Sequence, residues 1–146
     1  MTENHRLAVE SYRKGALTEA DKFMSAALTQ EADSETWNDW GMVQLALGRQ
    51  QDAERGFRKA LQLNRSYDKA AANLGILLFS STRFSESAPY LQQARATASE
   101  QEREMLVRML AKCESAMPES FSMVSTSSSS AAAVKAAKIV SDAAPE

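Results

Sequence analysis

The sequence predicts an all-helical solenoid built from antiparallel helix pairs. Three observations predict it: a repeated spacing of small residues, glycines midway through two of the repeats, and apolar residues at helical spacing. A period of about 34 residues is typical of helix pairs that stack side by side. The repeat therefore sets the expected boundaries of the helices.

Three columns of small residues define the repeat. Each column steps by 33 and then by 34 residues, and the larger residues Met24, Phe57 and Leu91 follow the same steps. Glycine inside a helix costs about 1 kcal/mol relative to alanine, so its use at two equivalent positions predicts that a second helix passes very close. The columns are Ala8, Gly41 and Gly75; Ala20, Ala53 and Ser87; and Ala27, Ala60 and Ala94.

Turn and capping residues place the helix ends. Gly15 and Gly48 fall midway through repeats one and two, where the first helix of each pair has to end. Thr18 and Ser85 are the expected N-caps of the second helices in repeats one and three. These signals predict helices over 3–14, 18–30, 34–47, 51–64, 68–80 and 85–97.

One more helix is predicted after the repeats. Ser99 with Glu102 makes a capping box, and the apolar residues that follow recur at helical spacing up to Cys113. A repeat array needs a terminal helix with one polar face, since its last repeat otherwise exposes an apolar edge. We expect residues 101–116 to be this capping helix.

The composition changes after Pro118. A serine-rich stretch is followed by an alanine-rich one, which predicts a flexible tail or a linker. The predicted organisation is a repeat domain at 1–117, with repeats at about 1–33, 34–67 and 68–101, and a Ser/Ala-rich tail at 118–146.

Aromatic residues, glycines and alanines recur at the same positions of the repeats. They are Trp37, Trp40, Gly41, Gly48, Ala53, Phe57, Ala60 and Leu61 in repeat two, Leu74, Gly75, Phe84, Leu91 and Ala94 in repeat three, and Leu7, Ala8, Gly15, Leu17, Ala20, Met24, Ala27 and Leu28 in repeat one. In these residues the chain resembles the tetratricopeptide repeat family, although the terminal proline of the family pattern is missing from all three repeats. The resemblance covers about residues 1–101. It implies a right-handed superhelix whose concave side is lined by the first helix of each pair.

Composition narrows the expected location and partners. Lys and Arg total 17 against 19 Asp and Glu, so the chain lacks the basic surplus of a nucleic-acid binder. The sequence has no run of about 18 apolar residues and no basic start followed by an apolar stretch, so neither a membrane span nor a signal peptide is expected. A single cysteine fits a reducing compartment. We therefore expect a cytoplasmic protein with no nucleic-acid or membrane partner.

No catalytic, metal or cofactor site is expected from the residue types. His5 is the only histidine, and it lies near the N-terminus. Cys113 falls on the apolar stripe of the capping helix, where cysteine usually acts as a small buried hydrophobe. Trp37 and Trp40 occupy repeat positions that the family uses for packing, so core packing is favoured over a ligand pocket.

The resemblance assigns a set of candidate binding residues on the concave side. They are His5, Val9, Tyr12, Arg13, Asn38, Met42, Leu45, Lys69, Asn73, Ile76 and Phe79. Six of them form an apolar strip, which suits either a partner's peptide or helix, or cover by the protein's own elements or a second copy. The first interpretation is favoured because a short array leaves its concave face open.

One subfamily of the repeats clamps a C-terminal carboxylate with Lys, Asn and Arg side chains. At the equivalent positions this chain has His5, Val9, Asp39, Lys69 and Asn73. Only Lys69 matches, and Asp39 would repel a carboxylate, so this clamp is not expected.

The predicted function is a protein–protein interaction module that binds a peptide or helix of a partner in its concave groove. Two alternatives stay open at this stage. The chain could be the N-terminal targeting domain of a larger enzyme, such as a transferase, or a self-associating scaffold that forms homo-oligomers. The repeats themselves are not expected to form an enzyme.

Overall fold

A computed structural model describes residues 1–117, 126–127 and 130–131. Seven helices differ from the predicted ranges by at most one residue at either end. The prediction of a flexible tail over 118–146 lies outside the described residues, apart from four that form two short antiparallel strands. The elements are α1 (Glu3–Arg13), α2 (Leu17–Gln30), α3 (Ser34–Ala46), α4 (Gln50–Leu63), α5 (Asp68–Ser80), α6 (Phe84–Thr97), α7 (Glu100–Ala116), β1 (Thr126–Ser127) and β2 (Ser130–Ala131).

The helices form three pairs that stack in chain order. α1 packs on α2, α3 on α4 and α5 on α6, and each pair then contacts the first helix of the next unit. α7 packs on α6 and closes the array. This arrangement is the predicted α-solenoid of three helix pairs with a capping helix.

Close approach between paired helices explains the small columns. All nine residues of the three columns are buried. A Cβ at Gly41 would lie 2.7 Å from Phe57 Cε1, and a Cβ at Gly75 would lie 2.8 Å from Leu91 Cδ2. Gly56, which the repeat pattern did not single out, faces Gly41 across the pair, because its Cβ would lie 3.0 Å from the Gly41 Cα. The predicted reason for the helical glycines is confirmed.

The turn inside each pair uses a residue with positive φ. Gly15 and Gly48 both have φ +80°, as expected for glycines that end a helix. Thr82 takes the equivalent place in repeat three with φ 58°, a conformation that is costly for a β-branched residue. The third turn therefore keeps the geometry of the other two without a glycine.

The predicted N-caps Thr18 and Ser85 were wrong. α2 begins at Leu17 after Ala16, α6 begins at Phe84 after Arg83, and neither preceding residue makes a side-chain cap. The reason is the tightness of the turn: the Ala16 N–H bonds the Ser11 carbonyl and the Arg83 N–H bonds the Leu78 carbonyl, both at 2.9 Å. The next helix starts immediately after this bond. Ser99, in contrast, is the N-cap of α7 as predicted.

Three apolar clusters form the core. Each joins the second helix of one unit to the first helix of the next, which is how a solenoid buries a continuous core. The first cluster is Ala8, Met24, Ala27 and Trp40; the second is Ala53, Phe57, Leu74, Leu77 and Leu78; the third is Leu91, Ala94, Leu106, Leu110 and Cys113.

The residues expected to pack in the core do so. Trp40 is buried in the first cluster, and Trp37 packs half-buried against it with the two rings 5.7 Å apart edge to face. Cys113 is fully buried in the third cluster, and burial raises the pKa of its thiol. Within the described residues, the helices are all too short or too polar to cross a membrane.

Candidate functional site

An open groove of about 580 Å³ runs between α3, α5 and the start of α7. The first helices of repeats two and three form two of its sides, and the end of α6 with the start of α7 forms the rest. Its carboxylates outnumber its one lysine, so the groove is acidic. The lining residues are Asn38, Asp39, Met42, Asp68, Lys69, Ala72, Asn73, Ala94, Thr97, Ala98, Glu102 and Leu106.

Four of the predicted binding residues meet in this groove. They come from equivalent faces of α3 and α5, as the repeat register predicts, and they are Asn38, Met42, Lys69 and Asn73. Lys69 is exposed, whereas Asn38 is buried and its amide faces the neighbouring helix. The groove therefore combines an exposed lysine with amides that are already hydrogen-bonded.

The other predicted residues do not line this groove. Leu45 packs half-buried against the second apolar cluster, and Ile76 and Phe79 pack half-buried against the third. On α1, Val9 and Tyr12 are half-buried, and Arg13 is exposed. Part of the predicted apolar strip is thus used to stack the helices. Its role as a binding surface stays a prediction.

His5 is buried, with 1% of its surface exposed, and it links repeat one to repeat two. Its Nε2 lies 2.8 Å from Asp39 Oδ2, and its Nδ1 lies 3.4 Å from Thr36 Oγ1. Asp39 is also a groove residue. The sequence-based expectation placed His5 on the open concave face and did not foresee these contacts.

A continuous polar chain crosses the concave side from repeat three to repeat one. Asn73 donates from Nδ2 to Asn38 Oδ1 at 2.9 Å, and Asn38 donates to Asp39 Oδ1 at 3.3 Å. Asp39 contacts His5, whose other ring nitrogen faces Thr36. We refer to Asn73, Asn38, Asp39, His5 and Thr36 as the polar chain. It sets the relative positions of three first helices by directional contacts.

The environment of His5 is acidic. Glu35 and Asp39 each bring a carboxylate oxygen near it, and these oxygens and a His5 ring nitrogen lie within 4.8 Å of one another. Burial, together with the negative charges of nearby carboxylates that include Asp39 and Glu35, raises the pKa of Tyr67 to about 12. Asp39 follows His5 by 34 residues, one more than the 33-residue step from repeat one to repeat two, so the repeat register did not reveal this contact.

A second polar network lies away from the groove, between α4 and α6. Glu54 accepts hydrogen bonds from Arg83 at 2.8 Å and from Arg58 at 2.9 Å, and Arg83 also bonds Glu86. The bonds from Arg83, followed by those from Arg58, lower the pKa of Glu54 although partial burial opposes the shift. Arg58 also lies over the ring of Tyr90. This network joins repeats two and three through α4 and the start of α6.

The helix pairs, the small-residue columns and the turns match a known family. Residues 5–140 match the model of the cilia and flagella-associated protein 70 middle TPR-like domain. The chain belongs to this family. The tetratricopeptide resemblance seen in the sequence is thereby confirmed, and the match runs past α7 into the predicted tail. No curated protein matches the chain.

Solved structures show the same fold for this TPR-like domain. The type III secretion chaperone SycD of Yersinia enterocolitica, in complex with a peptide of the translocator YopD, is 17% identical over 77% of this chain and 90% of that chain, with a TM-score of 0.68. The Arabidopsis OM64 TPR domain is 16% identical over 78% and 93%, with a TM-score of 0.68. The first TPR of Spaghetti (RPAP3), bound to the HSP90 peptide SRMEEVD, is 16% identical over 75% and 91%, also with a TM-score of 0.68. At these identities the likeness concerns the fold alone.

Proposed function

We propose that this TPR-like domain is a non-catalytic interaction module that holds a peptide or helix of a partner protein. The binding site is the groove between α3, α5 and α7. The observation that carries the proposal is the meeting of Asn38, Met42, Lys69 and Asn73, which the family resemblance assigns to the concave side, around one open groove of about 580 Å³.

The surface of the groove and two structures of the same fold support a protein segment as the ligand. Its surface mixes the apolar side chains of Met42 and Leu106 with amides and charges, which suits a peptide backbone with alternating side chains. Two proteins of the same fold, SycD and the first TPR of RPAP3, were solved with a peptide bound.

The charge of the groove favours a partner segment with positive charge. Asp39, Asp68 and Glu102 line it against a single Lys69. Asp68 and Asp39 already have hydrogen-bond partners at both carboxylate oxygens, whereas Glu102 accepts from Ser99 at one oxygen, so Glu102 is the carboxylate best placed to meet a ligand. Complementary charge speeds encounter and excludes wrong partners more than it adds affinity. A free C-terminal carboxylate is the disfavoured ligand.

Affinity capture from a native lysate tests the groove. The test protein carries Lys69→Glu with Ala72→Arg, which reverses one groove charge and fills the groove with a long side chain. The matched control carries Lys59→Glu with Gln62→Arg on α4, which changes the net charge equally but lies outside the groove. Circular dichroism on all three proteins first checks that helix content is unchanged.

The groove proposal requires that a partner bind the wild type and the control and be lost from the groove variant. Equal capture by all three folded proteins would contradict it. The single variant Glu102→Lys reverses an exposed groove carboxylate and would repel a positively charged segment, which keeps the test valid if Ala72→Arg disturbs folding. The self-associating scaffold is tested separately, since it predicts a mass by light scattering that rises with protein concentration.

A further inference from the structure

The pocket around His5 has the composition of a metal site that the sequence did not predict. His5, Glu35 and Asp39 present one nitrogen and two carboxylate oxygens to the same point, between α1 and α3. We propose that these three residues bind a divalent first-row transition-metal ion, with Zn²⁺ as the probe. The site is separate from the peptide groove in function, although Asp39 borders both.

The distances between the three ligand atoms are close to those of a metal centre. The three ligand atoms lie within 4.8 Å of one another, and the His5 Nε2 to Asp39 Oδ2 distance is 2.8 Å. Ligands at about 2.0 Å from a tetrahedral Zn²⁺ are about 3.3 Å apart. His5 is held by burial, whereas Glu35 is exposed and its side chain has the freedom to close the remaining distance. Three protein ligands leave a fourth position for water.

The hydrogen bonds around Thr36 place an acceptor opposite Nδ1, the His5 nitrogen that does not face the carboxylates. The Thr36 hydroxyl donates to Asp33 Oδ1 at 2.7 Å, and the Thr36 N–H donates to the same oxygen at 2.9 Å. With its only proton committed, the Thr36 oxygen acts as an acceptor toward His5 Nδ1. With a hydrogen on Nδ1 facing this oxygen, Nε2 is the nitrogen that can bind a metal. Metal-binding histidines are oriented in this way by a second partner on the non-ligating nitrogen.

The Nε2 side of His5 faces the carboxylates. Nε2 lies 2.8 Å from Asp39 Oδ2, a hydrogen-bond distance at which one proton lies between the two atoms. A metal ion bound to both atoms would replace that proton and widen the distance toward the ~3.3 Å expected between two zinc ligands. Glu35 and Asp39 together bring two negative charges to this point, which a divalent ion would balance.

A bound ion would join two repeats. His5 lies on α1, and both carboxylates lie on α3, so coordination would link repeat one to repeat two. An ion that binds only the folded chain stabilises it according to its concentration relative to the dissociation constant. We therefore expect Zn²⁺ to raise the melting temperature and to slow amide exchange in α1.

The single histidine makes a direct test possible. Tag-free, ¹⁵N-labelled protein has one imidazole, so its two ring nitrogen signals belong to His5 without further assignment. Titration with Zn²⁺ alone is expected to shift the Nε2 signal, leave a hydrogen on Nδ1 and saturate at one ion per chain. Isothermal titration of the same samples gives the dissociation constant.

Five substitutions test which residues bind the ion. Glu35→Gln and Asp39→Asn are expected to weaken Zn²⁺ binding at least about tenfold, and Thr36→Val about tenfold through loss of orientation. Glu19→Gln removes an exposed carboxylate on α2 as the matched control, and Cys113→Ser removes the only thiol; both should bind as the wild type does. Because Glu35 is exposed, its variant is expected to fold normally.

Any of three results would overturn the proposal. They are the absence of saturable binding up to about 1 mM Zn²⁺, imidazole signals that do not move on saturation, and equal affinity of the Glu35→Gln and Glu19→Gln proteins. A Cys113→Ser protein that no longer binds would assign the ion to the thiol and would contradict the site as well.

Discussion

The junction between repeats one and two differs from the junction between repeat three and the capping helix. At the first, the buried side chains include His5, Thr36 and Gln44, which meet neighbours through hydrogen bonds. At the second, the third apolar cluster joins α6 to α7 with Leu91, Leu106 and other apolar side chains. The first junction therefore adds hydrogen bonds to the apolar contacts of the first cluster, whereas the second is held by the apolar contacts of the third cluster.

Apolar contacts and buried hydrogen bonds make different contributions to the stacking of the helices. Apolar contact stabilises roughly in proportion to the buried area and has little angular preference. A buried hydrogen bond adds only about 1 kcal/mol net, but a buried polar group left without its partner costs more, so such groups favour one arrangement of the helices. The polar junction is also the one next to the acidic groups that a cation can bridge. The groove lies between the two junctions and takes lining residues from both.

Truncation of the apolar junction is expected to give the largest loss of stability. Leu110→Ala removes a buried side chain from the third cluster and should lower the free energy of unfolding by about 2–5 kcal/mol. Val107→Ala on the same helix is the control, since Val107 is 44% exposed and should cost far less. Urea unfolding followed by circular dichroism measures both. Equal small losses would show that α7 is not held by this cluster.

Substitutions at the polar junction should lower the free energy of unfolding non-additively, because the side chains there act as hydrogen-bonded pairs. Gln44 is buried, donates to Asp21 Oδ1 at 2.7 Å and accepts from Arg49 at 3.1 Å. We expect Gln44→Leu to cost about 1–2 kcal/mol, and we expect Asp21→Ala to cost less in that background than in the wild type. A double-mutant cycle by urea unfolding measures the coupling. Strict additivity would show that directional bonds do not hold this junction.

The turns of the three repeats offer a stabilising change. Thr82 has φ 58° where Gly15 and Gly48 have φ +80°. Thr82→Gly relieves the steric cost of this conformation but frees the unfolded chain, so a net gain of about 1 kcal/mol is expected. Gly48→Ala, the reverse change in repeat two, should lose a similar amount. Thermal unfolding measures both, and a destabilised Thr82→Gly protein would contradict the comparison of the turns.

The smallest effect should come from the exposed network between α4 and α6, and it should depend on pH. The folded-state pKa of Glu54 lies below its ordinary 4.5, chiefly because Arg83 donates hydrogen bonds to it. Its contribution is therefore complete above about pH 4.5 and is lost as the pH falls through the lower folded value. Glu54→Gln should cost up to about 1 kcal/mol at pH 7 and progressively less below pH 4.5. Urea titrations at pH 7 and pH 3 compare the two proteins, and a difference that stays constant would exclude the mechanism.

The sequence predicted the fold more completely than the site. The columns of small residues fix which helix faces meet, so the register and the helix ends follow from positions such as Gly41 and Gly75. The N-caps predicted at Thr18 and Ser85 are wrong because capping preference depends on single residues. The start of the next helix depends instead on a backbone hydrogen bond between residues five positions apart. The preferences of single residues likewise do not predict the positive φ of Thr82.

The site was predicted in part for a related reason. Asn38, Met42, Lys69 and Asn73 follow from the family resemblance, which assigns these positions to the concave side, and the structure brings them together in one groove. His5 did not follow, because its surroundings depend on which residues of the next repeat point back at it. Ile76 and Phe79 were expected on the open face but pack against the third cluster, since α6 and α7 cover that end of the array. The repeat period predicts which residues share a helix face, but it does not predict which of those residues the neighbouring helices bury.

Site-specific photo-crosslinking tests the groove most directly. A benzoylphenylalanine is introduced in place of Lys69, in the groove, and in a second protein in place of Lys59, on α4 outside it. After irradiation in a native lysate, the account predicts one crosslinked partner band from position 69 that is absent from position 59. The same band from both positions, or a band from position 59 alone, would contradict the assignment of the groove as the binding site.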